Sequence, residues 1–256
     1  MDFFKKKFNA EALLEGKIFL IDKPLGWTSF QVVNKIRWHL KNTTGLKKLK
    51  VGHAGTLDPL ATGLLIICTG KKTKTISSLQ DTEKEYRGTF TLGATTPSYD
   101  METEIDQTYT SDHITPQLLE KTKDLFTGNI QQQPPLFSAL KKDGKRLYEY
   151  ARAGETTTIA KRNITISKFE ITRIELPDLD FLIRCSKGTY IRSIAHDFGK
   201  SIASGAHLSA LQRTQSGSFE LKDAYTMESV LNYNSDINIK SKYCNNLLLD
   251  LLIKSK

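Results

Sequence analysis

The chain has little of what builds disulfide scaffolds, metal centres or membrane spans. Its three cysteines, Cys68, Cys185 and Cys244, are odd in number, far apart and partly in apolar runs, so no disulfide framework is expected and a reducing compartment is. Five histidines occur without HExxH spacing and without cysteine partners, and no structural or catalytic metal is expected. No apolar run reaches the roughly 20 residues of a membrane helix. The opening Met1-Asp2-Phe3-Phe4-Lys5-Lys6-Lys7 lacks the apolar core of a secretory signal. A cytoplasmic protein without membrane contact is therefore expected. The segment Cys68-Thr69-Gly70-Lys71-Lys72 fails as a phosphate-binding loop, because the earlier glycine is misplaced and no Ser or Thr follows Lys71. Repeats and low-complexity tracts are absent too.

Acid is in deficit. Among 256 residues, 37 Lys+Arg stand against 28 Asp+Glu, a formal charge of +9 that favours a polyanionic partner but is compatible with solubility alone. Distribution separates the two readings. Lys47, Lys48 and Lys50 precede a glycine-rich segment, Lys71, Lys72 and Lys74 follow it, and Lys141, Lys142, Lys145 and Arg146 form a third cluster. Acids gather instead at Asp100, Glu102, Glu104, Asp106 and Asp112.

What the sequence does have is the string Gly52-His53-Ala54-Gly55-Thr56-Leu57-Asp58-Pro59-Leu60-Ala61-Thr62-Gly63-Leu64-Leu65. Three glycines and two alanines keep its backbone uncovered, so a bulky polyanion can approach closely. Pro59 fixes its own φ and biases Asp58 towards an extended conformation. The run Leu64-Leu65-Ile66-Ile67-Cys68 is apolar on both faces, as a buried central strand requires. Asp58 thus sits on a stiff loop at the edge of a core, as either a turn aspartate capping a backbone N–H or a functional acid.

Around this string the pattern predicts a strand over 17–22 and a helix capped by Thr28 or Ser29, with Val32, Val33, Ile36 and Leu40 on its inner face and Asn42-Thr43-Thr44-Gly45 at its end. Tyr86, Phe90 and Leu92 share one face of an alternating strand, opposite Glu85, Arg87, Thr89 and Thr91, so Tyr86 points to the core or a pocket. A helix is expected from Thr115-Pro116 to Thr127-Gly128. The Pro-, Gly- and Lys-rich stretch of about 129–156 reads as a mobile insertion rather than core. Strands over 162–175 and 180–185 precede a helix with an apolar stripe of Ile191, Ile194, Ala195, Phe198 and Ile202, whose first turn carries Tyr190 and Arg192. A short apolar helix is expected over 243–254.

The glycine-rich string closely resembles motif II of the TruB family of pseudouridine synthases. Asp22-Lys23-Pro24-Leu25-Gly26-Trp27-Thr28-Ser29 resembles the family's N-terminal motif, and Lys84-Glu85-Tyr86 with Leu92-Gly93 its tyrosine strand. Gln133-Pro134-Pro135 with Phe137-Ser138-Ala139-Leu140-Lys141 is similar to its RNA-contacting insertion. Ser186-Lys187-Gly188-Thr189-Tyr190-Ile191-Arg192 and Gly205-Ala206-His207-Leu208 complete six motifs in family order over residues 16–220. The resemblance implies an α+β pseudouridine synthase fold: a largely antiparallel sheet flanked by helices, with a thumb-like insertion. Residues 1–230 are expected to form the catalytic domain, and 231–256 a short tail without a complete PUA domain.

The implied activity is isomerisation of uridine to pseudouridine at position 55 of the tRNA T loop, without cofactor, metal or obligate protein partner. Rival readings are the same chemistry on another stem-loop RNA and a non-catalytic RNA chaperone. By resemblance Asp58 is the catalytic carboxylate, Arg192 its cationic partner, and Tyr86 a ring stacked on the flipped base with a hydroxyl that serves the C5 proton. His53 corresponds to the residue that fills the vacated place in the RNA loop. Tyr190 and Leu211 match pocket walls, Lys23 a support of the tyrosine, and Asp100 an acid facing the pocket arginine. Lys141, Lys142 and Arg146 are expected to contact RNA through the insertion.

Overall fold

The computed structural model describes residues 10–231. A short helix α1 (Ala10–Glu15) leads to β1 (Ile18–Lys23), whose alternation turns Phe19, Ile21 and Lys23 inward. Helix α2 (Ser29–Thr44) starts at Thr28, whose hydroxyl accepts from Gln31 N while the Gln31 side chain accepts from Thr28 N. It stops where Gly45 turns left-handed at φ 73 and donates to Lys41 O. Val32, Val33, Ile36 and Leu40 are buried on its inner face, as the periodicity predicts.

β2 (Val51–His53) and β3 (Ala61–Thr69) bracket the Asp58 loop. Every residue of β3 except Thr62 is buried, because β1 lies on one side of it and a late strand on the other. A 3-10 turn (Gly70–Thr75) and α3 (Ile76–Gln80) lead to β4 (Lys84–Leu92), then to the small ribbon of β5 (Ala94–Thr95) and β6 (Gln107–Thr108). Thr115 caps α4 (Pro116–Leu125) by accepting from Leu118 N. There follow β7 (Gly128–Gln132), the two-residue arms β8 (Lys141–Lys142) and β9 (Lys145–Arg146), and α5 (Leu147–Arg152). The long pair β10 (Arg162–Glu175) and β11 (Asp178–Cys185) precedes α6 (Ile191–Ser201), and β12 (Ala206–Ser216) carries the chain back through the sheet. β13 (Phe219–Glu220), β14 (Tyr225–Thr226) and α7 (Met227–Leu231) close the described residues.

One ten-stranded sheet results, ordered β14-β1-β3-β12-β4-β11-β10-β7, with β2 on β3 and β13 on β12. Only β1/β14 and β3/β12 are parallel. Two cores form. α2 packs Val32, Val33, Ile36 and Leu40 with Ile21, Leu65 and Ile67 of the β1-β3 half. α6 and α4 cover the β4-β11-β10 half around Phe90, Phe169, Phe181 and Phe198, where Phe90 and Phe181 lie 4.3 Å apart between ring centroids. Tyr86 and Leu211 pack against both cores, so they stand at the seam.

The expected insertion needs correction at its start. Residues 128–132 are not a mobile excursion but the edge strand β7, paired antiparallel with β10 from Ile166↔Gly128 to Arg162↔Gln132. Further along, Ser138 and Leu147 are buried, so the segment is anchored at several points. Within the expected insertion, the β8-β9 hairpin and α5 are the elements that stand apart from the large sheet. The expected helix over 243–254 lies outside the described residues.

Candidate active site

The Asp58 loop is held by backbone acceptors that distant segments claim. Ser29 Oγ donates to Leu57 O and accepts from Leu57 N, both at 2.9 Å. Pro59 O accepts from Gly26 N at 2.9 Å and from the Lys23 ammonium at 3.3 Å. Arg213 donates to Gly55 O at 3.2 Å and to Leu64 O at 2.7 Å. Each buried cation is thereby matched to carbonyl oxygens, which burial of a charge requires. The loop is thus anchored on both sides of the acid.

Arg192, in the first turn of α6, is 4% exposed. Its guanidinium reaches the Asp58 carboxylate at 2.9 Å, the Asp100 carboxylate at 3.5 Å and donates to Ser98 O at 3.2 Å. Asp100 is buried behind it and also accepts from Glu102 N at 3.0 Å. Asp58, by contrast, keeps 41% of its side chain exposed. One face of the arginine is thus neutralised by a structural acid and the other presents an accessible one.

Asp58 and Arg192 open into a cavity of about 710 Å³, walled by Tyr86, Tyr190, Leu211 and Arg213 among others. That volume suits a small-molecule or nucleobase site. Tyr86 lies opposite Arg213 in the β4/β12 register, within the electrostatic reach of its guanidinium. Burial pushes the Tyr86 hydroxyl above its ordinary range, against the pull of Arg213, so it is a neutral phenol. Tyr190 caps α6, with both its N–H and its carbonyl held by the buried Gln132 amide at 2.8 and 3.0 Å. The Arg162 guanidinium stands 4.8 Å from the Tyr190 ring centroid. Lys84 lines the cavity, and burial lowers its pKa.

Several of the expected residues lie outside the cavity wall. Lys23 is fully buried and donates to the Pro24, Trp27 and Pro59 carbonyls, so it braces the Asp58 turn. Burial pulls its pKa to about 8, partly opposed by the negative charge of Asp58. His53 sits in β2 opposite Ile67, half-buried and outside the cavity wall, with its pKa lowered by burial. Lys141, Lys142 and Arg146 lie on the hairpin beyond the wall, which Ser138, Ala139 and Leu140 reach. The Lys142 ammonium is already engaged by Thr157 Oγ1 and Thr158 O.

Burial raises the Cys68 and Cys185 thiols to about 11 and about 12, which suits them for packing and not for nucleophilic work. Among the described residues no cluster of His, Cys, Asp and Glu fits a metal ion, and no helix is long and apolar enough to cross a membrane.

The sequence reading missed Arg213, Lys84, Ser29, Gln132 and Arg162. For Arg213 a signal existed. It lies two residues beyond Leu211 on an alternating strand, so the two share a face.

Known proteins agree with this architecture. Residues 41–191 match the family model of the TruB family pseudouridylate synthase N-terminal domain, and residues 192–252 that of the tRNA pseudouridylate synthase B C-terminal domain. The tRNA pseudouridine synthase B of Flavobacterium johnsoniae is 62% identical over 215 residues, which cover 84% of this chain and 94% of that protein. The protein of the same name from Phocaeicola vulgatus is 53% identical, covering 84% and 92%.

Among solved structures, a Cbf5-Nop10-Gar1 complex contains a chain with TM-score 0.66 and 30% identity, covering 87% of this chain and 55% of that one. An H/ACA RNP bound to a substrate RNA containing 2′-deoxyuridine gives TM-score 0.64 at 26% identity, covering 91% and 58%. The chain thus spans a little over half the length of those solved chains. With 62% identity to one relative and family models matching from residue 41 to 252, the chain belongs to the TruB family of pseudouridine synthases.

Proposed function

We propose that the chain isomerises uridine to pseudouridine at position 55 in the T loop of tRNA, with Asp58 as the essential carboxylate. The observation that carries this reading is the Asp58–Arg192 pair at 2.9 Å, opening into a cavity walled by Tyr86, Tyr190 and Leu211. The names of the most similar relatives support tRNA as the substrate class.

The reaction breaks the C1′–N1 bond of the nucleoside, turns the free uracil, joins C1′ to C5 and moves the C5 proton. It is redox-neutral and balances without a co-reactant. A uridine in a folded loop must first be flipped out, at a cost of a few kcal/mol that new contacts offset. The Tyr86 ring offers a stacking face, and Leu211 and Tyr190 close the walls so that the detached base is retained. Asp58 acts as nucleophile or base. Arg192 holds it in place, and Asp100 in turn holds Arg192. The Tyr86 hydroxyl, neutral and close to Arg213, serves the proton at C5. The purified chain is sufficient for this turnover, with no added protein, metal or cofactor.

Asp58→Asn tests the assignment. It preserves size and leaves the braced loop intact, but it removes the carboxylate. Single-turnover pseudouridine formation at saturating enzyme should fall to background while the melting curve and tRNA affinity persist. Substantial turnover by a folded, non-deamidated variant would remove Asp58 from the chemistry.

A further inference from the structure

A second groove lies behind the Asp58 loop, along the outer face of α2. Gln31, Asn34, Lys35, Trp38, Lys41 and Asn42 recur at helical spacing on the side opposite the buried Val32, Val33, Ile36 and Leu40. With Gly26 and Trp27 they enclose about 700 Å³. Three cations line this groove and no acid does, and α2 itself contains no Asp or Glu. Trp38 is 58% exposed, and the Lys35 ammonium lies 5.3 Å from its ring centroid. That is an unusual place for an indole. More than half of its surface faces solvent, which leaves ring area on which a planar partner can stack.

We propose that this groove binds the RNA substrate outside the flipped uridine, with Lys35, Arg37 and Lys41 on phosphates and Trp38 stacked on an unpaired base. The combination of a cationic track with an aromatic platform is the general chemistry of single-stranded RNA binding. Position supports it. Gly26, at the groove's end, donates to Pro59 O next to Asp58, and Lys23 bridges Trp27 O to the same carbonyl. The groove's end is thereby tied by hydrogen bonds to the turn that carries Asp58.

Charge argues against the chain's own C-terminal residues as the occupant. Residues 232–256 carry Lys240, Lys242, Lys254 and Lys256 against only Asp236 and Asp250, so they match a cationic groove poorly. The inference rests on the proposed reading that the substrate is RNA.

Trp27 and Trp38 are the two tryptophans of the whole sequence, so intrinsic fluorescence reports this groove. In a full-length Trp27→Phe protein, acrylamide should quench Trp38 readily in the free state, and saturating uridine-bearing tRNA should shield it several-fold. Replacing Lys35, Arg37 and Lys41 together with Gln should weaken tRNA affinity about tenfold at low salt, with a shallower dependence on salt. Trp38 already shielded in the free protein would assign the groove to this chain's own residues or to a second copy, and overturn the proposal. Pseudouridine formation with Trp38 equally quenchable before and after tRNA would also overturn it, while leaving the proposed function standing. Shielding by tRNA without any pseudouridine formed would sustain the groove and sink the function instead.

Discussion

Arg192 works between two acids in unlike surroundings, and that difference sets what its removal does. Asp100 is buried, with Glu102 N as its other partner, whereas Asp58 reaches solvent. Arg192→Met therefore strands a buried carboxylate, and a loss of about 3–5 kcal/mol in unfolding free energy is expected in urea titrations. Adding Asp100→Asn should restore much of that stability but none of the turnover, because Asp58 still lacks its partner. Restored turnover in the double variant would show that Arg192 serves the fold alone. Lys23 makes a different prediction. Its pKa falls from 10.5 in the unfolded chain to about 8 in the fold because burial disfavours the charge. Between those values the unfolded state binds more protons, so this group's contribution to stability rises with pH from about 8 to 10.5. Below pH 8 its cost is fully present. Lys23→Met should remove that rise, seen as a flatter melting temperature across the window relative to the parent.

At this scale the sequence disclosed the inward Tyr86 by alternation alone, but it disclosed Asp58 and Arg192 as a pair only through family resemblance. Arg213 stayed hidden because an arginine on a strand ordinarily reads as outward. Its burial makes sense only once Gly55 O and Leu64 O are seen to receive it.

Among the elements, β3 is the most constrained. Gly63 sits at φ +97, and a Cβ there would fall 2.4 Å from Arg213 O. Gly63→Ala should push β3 off β12 and loosen Arg213 with it. Both melting temperature and single-turnover rate are expected to drop, whereas a change confined to stability would separate the strand seam from the chemistry. The elements that the sequence disclosed well are those with a clear period or punctuation: α2 between Thr28 and Gly45, α6 with its apolar stripe, and β3 as an apolar run. β7 gives no strand signal in the sequence for a physical reason. Gly128–Gln132 is an edge strand with a single large apolar residue, Ile130, so its pairing with β10 leaves almost no hydrophobic signature.

For the whole molecule, the charge of +9 is expected to act through distributed phosphate contacts. Neutralising Lys141, Lys142 and Arg146 should weaken tRNA binding and lower the slope of log affinity against log salt by about 2. The loss should come mainly from Lys141 and Arg146, since Thr157 and Thr158 already hold the Lys142 ammonium. An unchanged slope would take the hairpin out of the RNA interface. The position of β12 has another consequence. Asp58 precedes β3 and Tyr86 belongs to β4, and these two strands are not neighbours in the sheet; β12 lies between them. During synthesis the β1-β3 and β4-β11-β10 pieces exist before Ala206–Ser216 does, each with an open edge at the future seam. Because loop closure over that span is slow to be rewarded, the late strand is expected to set the tempo of folding. It also acts as a latch in time: a ribosome-bound chain that has already made Asp58, Tyr86 and Arg192 has no assembled site until β12 slides between the two halves.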